Sequence, residues 1–94
     1  MTYSRHRNDN NKAEIIKELR KAGCFVADLS QTGNGVPDIL VCRAGKWYPI
    51  EIKSSPKDRL TPAEDRWWTA TGIKPVIART PIEALSIVGL KPIG

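Results

Sequence analysis

Residues 37–53 read Pro-Asp-Ile-Leu-Val-Cys-Arg-Ala-Gly-Lys-Trp-Tyr-Pro-Ile-Glu-Ile-Lys. Pro37 to Cys42 is rich in strand formers, Ala44-Gly45 suits a tight turn, and Trp47 to Lys53 reads as the returning strand. Pro49 has no N–H to give a ladder, so the hairpin is expected to bulge there or to leave one side unpaired. With Ala44-Gly45 as the turn, Arg43 faces Lys46 and Asp38 faces Glu51. That pair is of the closely spaced, non-hydrogen-bonded type, with Cα atoms about 4.5 Å apart. With Gly45-Lys46 as the turn, Asp38 faces Lys53 and Glu51 is diagonal to it. In both registers Asp38, Glu51 and Lys53 share one face, while Ile50 and Ile52 point to the other.

Outward from the hairpin, helices and short strands alternate. Asn11-Lys12-Ala13-Glu14 reads as a helix start, with Asn11 as N-cap and Glu14 at the third helical position. Ile15, Ile16, Leu19 and Ala22 follow at helical spacing, and Gly23 stops the run. Residues 1–9 are expected to be a flexible basic arm. Cys24 to Ala27 is the first strand, and Ser30 to Gly35 is a loop by composition. Thr61-Pro62-Ala63-Glu64 and Thr80-Pro81-Ile82-Glu83 each set Thr at an N-cap, Pro at the first helical position and Glu at the third. These helices are expected to end at Gly72 and Gly89, with a buried strand at Pro75 to Ala78 between them. The order α-β-β-β-α-β-α predicts an α/β fold, a small mixed sheet flanked by helices.

The chain's 94 residues form one domain, 1–94, of ordinary globular composition: 40% hydrophobic and 27% charged. No apolar run is long enough to span a membrane, and the polar first residues do not read as a signal peptide. Cys24 and Cys42 fit no metal spacing and are expected to be reduced thiols. A single histidine, His6, argues against a zinc site and a Ser-His-Asp triad. Fifteen Lys and Arg against ten Asp and Glu leave a net charge of +5, which suits a polyanionic partner.

Two carboxylates facing each other repel, so a fold that keeps them needs a compensating charge. A divalent metal supplies it, and hard oxygen ligands favour Mg²⁺ or Mn²⁺ over zinc. A lysine beside such a site can orient water or stabilise a charged transition state. Asp38, Glu51 and Lys53 are therefore candidate catalytic residues for metal-assisted phosphodiester hydrolysis.

Pro37-Asp38, twelve intervening residues and Glu51-Ile52-Lys53 resemble the PD-(D/E)XK nuclease signature. The wider context is similar to the small phage-type VRR-NUC (virus-type replication and repair nuclease) branch. The matching stretches are 11–16, 19–23, 33–38, 60–64 and 83–85, spread over nearly the whole chain. The resemblance implies a restriction-endonuclease-like core and a metal-dependent DNA endonuclease. It further implies Glu14 as an additional acid at the metal and the backbone carbonyl of Ile52 as a further ligand. Ser30 and Gln31 would be substrate or metal contacts in the loop. Glu64 stands where many members have a Gln that helps position the catalytic lysine. Arg5, Arg7, Lys12, Lys57, Arg59 and Arg66 would contact DNA phosphates as a group.

Related small members act as homodimers on branched DNA, so a homodimer cutting four-way (Holliday) junctions in the cytoplasm of a bacterial host is expected. Of the adjacent Trp67 and Trp68, one belongs to the core and the other is a candidate dimer contact. The alternatives are a non-catalytic nucleic-acid-binding module of the same fold and a nicking or flap nuclease.

Overall fold

A computed structural model describes residues 3–90, with side chains from Asn11 onward. The elements are α1 (Tyr3–Lys21), β1 (Phe25–Asp28), β2 (Ile39–Arg43), β3 (Lys46–Ile52), α2 (Pro62–Thr71), β4 (Ile77–Ala78) and α3 (Pro81–Ile87). The expected order holds throughout. The sheet runs β1-β2-β3-β4, with the first two pairings antiparallel and the last parallel.

The turn is Ala44-Gly45, both residues at positive φ (52° and 79°), and Arg43 pairs with Lys46. Two left-handed residues in succession make a hairpin turn whose twist matches that of the strands. Pro49 pairs with Leu40 at a position whose N–H would point away from β2. On that side β4 pairs only with Glu51 and Ile52, so the missing donor costs no ladder bond. The expected unpaired side is what accommodates the proline.

Ile39, Val41 and Ile50 are fully buried on one face of the hairpin, together with Val26 of β1. Against them lie Ile15, Ile16 and Leu19 of α1, Ala84 of α3 and its C-cap Val88, which close a single core. Ala22, expected on the apolar face of α1, is exposed beyond the helix end.

The start of α1 differs from expectation. The backbone is helical from Tyr3, so Asn11 is an interior residue and not an N-cap, and Glu14 closes no capping box. The basic arm expected over residues 1–9 is thus drawn into α1 from Tyr3 onward. The side chains of Arg5 and Arg7 lie outside the described residues.

At α2, Thr61 accepts from Glu64 N and the Glu64 carboxylate accepts from Thr61 N, the expected capping box. The helix ends on Gly72 in the left-handed conformation. Thr80 caps α3 by accepting from Glu83 N, while the Glu83 carboxylate accepts from Arg79 N and so closes no capping box with Thr80. Both cysteines are free thiols, Cys24 buried and Cys42 half-buried.

Gly35 fixes where α2 sits. Its φ is +78°, and a Cβ there would collide with the backbone carbonyl of Ala63 in the first turn of α2. The loop before Asp38 thus packs backbone against backbone on the helix that carries Glu64, which only glycine permits. Gly35→Ala should destabilise the protein by about 2 kcal/mol, from combined strain and collision. The check is a thermal melt, with a fall in Tm of roughly 10 °C expected for a domain of this size.

Candidate metal and phosphodiester site

Asp38, Glu51 and Lys53 meet at the open end of the hairpin, as the alternation of strand residues requires. Asp38 is fixed twice. Its backbone carbonyl accepts from Leu29 N at 2.7 Å, and its Oδ2 accepts from Ile52 N at 2.8 Å. The side chain thereby extends the β2–β3 ladder by one bond.

Glu51 N and Lys53 N both donate toward β4, to the carbonyls of Val76 and Ala78. A strand residue's N–H and C=O point to the same side and alternate along the chain. The Ile52 carbonyl therefore points, with its N–H, toward Asp38.

Glu51 is only 2% exposed, and its Oε1 has no hydrogen-bond partner. Burial first, then the facing Asp38, pushes its pKa up to about 9. A buried carboxylate opposite another carboxylate is kept protonated unless a cation joins it. An orphaned oxygen, a facing Asp38 and a nearby main-chain carbonyl make a hard oxygen set that a divalent cation fits. Among the described residues no group of three or more His, Cys, Asp or Glu could hold a metal. The side-chain set therefore has two carboxylates, which suits an ion that keeps several of its waters, as Mg²⁺ does.

Lys53 Nζ lies 4.0 Å from Glu51 Oε2 and 2.8 Å from Glu64 Oε1. Burial raises the Glu64 pKa, but hydrogen bonds from Lys53 Nζ and Thr61 N outweigh it, and the net shift is downward. Glu64 is therefore an ionised anchor for the Lys53 ammonium. The same Oε1 that closes the α2 capping box holds the lysine.

These groups line a cleft of about 490 Å³. Ser30 lines it, whereas Gln31 is exposed and outside it. Glu14 is exposed on α1 and also outside the cleft. In its stead α1 contributes Asn11 and Lys12, whose side chains enter the cleft wall. Asn11 Nδ2 donates to the Lys53 carbonyl at 3.0 Å, and Lys12 Nζ donates to Ser30 Oγ at 2.7 Å.

A helix that starts at Asn11 leaves that side chain at a cap. A helix that starts at Tyr3 frees it to cross to β3, and this is why the sequence reading missed it. Of the basic group, Lys12 and Arg59 line the cleft, while Lys57 and Arg66 are exposed outside it.

A solved structure titled "VRR_NUC domain" superposes on this chain with a TM-score of 0.65, covering 87% of this chain and 94% of the other. The chain has the VRR_NUC fold. Sequence identity to that structure is 18%. No protein-family model and no curated protein matches the chain. The VRR_NUC fold agrees with the α/β core described above, a four-stranded mixed sheet flanked by helices. No described helix is long and apolar enough to cross a membrane.

The buried Glu51 has a pH signature without metal. Its pKa is raised on folding, so between about pH 4.5 and 9 the folded state holds a proton that the unfolded state has lost. Stability of the metal-free protein should therefore fall as pH rises through that window. Glu51→Gln should remove most of the slope and raise Tm at pH 8 by more than at pH 5. Thermal melts in EDTA across pH 5–9 check this. A divalent cation should raise the wild-type Tm at pH 8 but leave the variant's nearly unchanged.

Proposed function

We propose that this chain is a metal-dependent DNA endonuclease that hydrolyses phosphodiester bonds. The observation that carries the reading is the buried Glu51, with an unpartnered oxygen, opposite Asp38 and beside a lysine held by a second carboxylate. Such a pair is relieved by a proton on Glu51 or by a cation, and two acids with a lysine beside them suit phosphate chemistry. The VRR_NUC fold supports the same reading.

In it, Asp38, Glu51 and the Ile52 carbonyl would hold Mg²⁺ or Mn²⁺. Bound there, the ion would polarise the scissile phosphate and lower the pKa of an attacking water. Lys53 would donate to the phosphate oxygen on which charge develops, with Glu64 fixing its direction. Glu14 has no part in this set, because its side chain is exposed away from the cleft.

We further propose action as a homodimer on branched DNA, four-way junctions first, in the cytoplasm. Each chain offers one site, and paired cuts on symmetry-related strands need two sites related by a two-fold axis. Trp68, 1% exposed, is the core member of the Trp67–Trp68 pair, and Trp67 is half-buried edge to face against it at 5.0 Å. The large apolar side chains left exposed include Phe25 and Trp47, stacked edge to face at 6.1 Å, and this pair is the better candidate for the dimer surface.

Incubation of the protein with linear duplex, flap and four-way DNA, in Mg²⁺, Mn²⁺ or EDTA, tests the activity. Cleavage should require a metal, exceed that of duplex on junctions, and come in pairs near the crossover. Retained binding without cleavage in any metal would instead favour a non-catalytic binding module. Asp38→Asn should abolish cleavage while binding persists, because a repulsive charge near phosphate is removed. Lys53→Ala should lower the single-turnover rate constant by ~10²-fold or more with little loss of affinity. Light scattering gives the mass of the assembly.

A further inference from the structure

We propose that Lys12 is a built phosphate subsite of the cleft, which holds the DNA strand beside the bond to be cut. The proposal rests on the nuclease reading and adds to it a residue that selects where the strand lies. Among the described residues, Lys12 is a cleft lysine held by both a hydroxyl and a carboxylate.

Its Nζ donates to Ser30 Oγ at 2.7 Å and pairs with Asp28 Oδ2 at 3.3 Å. Ser30 in turn donates to Asp28 Oδ1 through both its hydroxyl, at 2.6 Å, and its backbone N–H, at 3.0 Å. Those two bonds, the hydroxyl's first, hold the Asp28 carboxyl below its ordinary pKa, so Asp28 is ionised and fixes the ammonium.

An ammonium has three N–H groups, and two of them are engaged here. The third is left for the cleft that Lys12 lines. The cation is also placed from behind. Asn11 clamps α1 to the end of β3 through the Lys53 carbonyl, so the residue after it enters the cleft at a fixed distance from the catalytic strand. Three elements thus hold one lysine: α1 carries it, β1 supplies its counter-ion and the loop after β1 supplies a hydroxyl. A surface lysine makes none of these bonds. Its rotamer freedom is lost only when phosphate binds, whereas much of that cost is met here on folding.

The ligand is one phosphodiester of the DNA strand, next to the phosphate that would meet Lys53. Lys12 would touch the strand and not the reacting atoms, so it is a positioning and affinity residue.

Binding is measured in Ca²⁺ on one four-way junction, over a range of salt, and cleavage is measured separately in Mg²⁺ under single-turnover conditions. Lys12→Ala should weaken binding about tenfold and reduce the slope of log K against log salt by about one contact. The rate constant at saturating DNA should change far less than the half-saturating concentration. Lys12→Arg should restore most of the salt slope, which a purely structural lysine would not require. A junction carrying a neutral methylphosphonate beside the cleavage point should bind the wild type more weakly, yet bind Lys12→Ala no more weakly than the unmodified junction. Lys17→Ala, exposed on α1 outside the cleft, is the control for general charge.

An unchanged salt slope in a Lys12→Ala variant that melts like the wild type would overturn the proposal, as would an equal methylphosphonate effect in both proteins. Loss of folding in Lys12→Ala leaves Lys12→Arg and Lys12→Gln to be measured in its place, by the same criteria. A wild type that binds but cuts in no metal sinks the nuclease reading alone, since the salt and methylphosphonate measurements do not depend on cleavage.

Discussion

The facing of Asp38 and Glu51 across the open end of the β2–β3 hairpin is the constraint around which the rest is arranged. Two carboxylates at a close strand pair repel, and Glu51 has no solvent to disperse its charge. The register is nevertheless held firmly. Ile39 and Ile50 pair in the core, Asp38 bonds the Ile52 N–H, and β4 bonds the N–H groups on either side. Slipping the strand by one residue would put Ile50 in solvent and Glu51 in the core. The core therefore fixes the carboxylates in an arrangement that they would not choose. The strain is relieved by a proton at Glu51 or by a cation.

Glu64 links this site to the helix beside it. A capping box is worth about 1 kcal/mol to a helix end. Here one of its members also anchors Lys53 at 2.8 Å. The lysine's position thus depends on where α2 starts, and α2 starts where Gly35 lets the preceding loop touch Ala63. A sterically critical glycine, a helix cap and a candidate catalytic lysine form one chain of contacts. The pair is largely shielded from water, so removing one partner leaves a charge that burial penalises.

The opposite wall of the cleft is built on a different logic. There α1 brings a neutral amide and a cation to the end of the sheet, Asn11 to the main chain of β3 and Lys12 to Asp28 and Ser30. One wall carries Asp38, Glu51 and Lys53, and the other presents Lys12 backed by Asp28. Under the proposed function a strand of phosphates would run between them, with the metal beside the two carboxylates and the Lys12 ammonium opposite. The VRR_NUC fold supplies the frame for both walls, while the chemistry rests on the side chains that this sequence sets on it.

The hairpin, the two Thr-Pro-x-Glu helix starts and the order of elements were legible in the sequence, because each rests on contacts between near neighbours, whereas the choice between two hairpin registers was made by the structure, in which Arg43 pairs with Lys46. A period of two decides which side chains share a strand face, so Asp38, Glu51 and Lys53 could be grouped from the sequence. Glu64 could be named there as a cap from its local pattern, but as the partner of Lys53 only through the family resemblance, since eleven residues and a change of element lie between them. The role of α1 was misread for a physical reason. Asn11 is as good a cap as any residue, and nothing local says that the helix continues back to Tyr3. Whether Glu14 or Asn11 and Lys12 reach the cleft depends on how the helix is rotated and seated on the sheet. That seating is set by Ile15, Ile16 and Leu19 meeting β-strand residues far away in the chain. The sequence by itself determined which groups lie on one strand face. The packing of α1 and α2 against the sheet decided which other side chains join them, because contacts between distant segments carry no local signal.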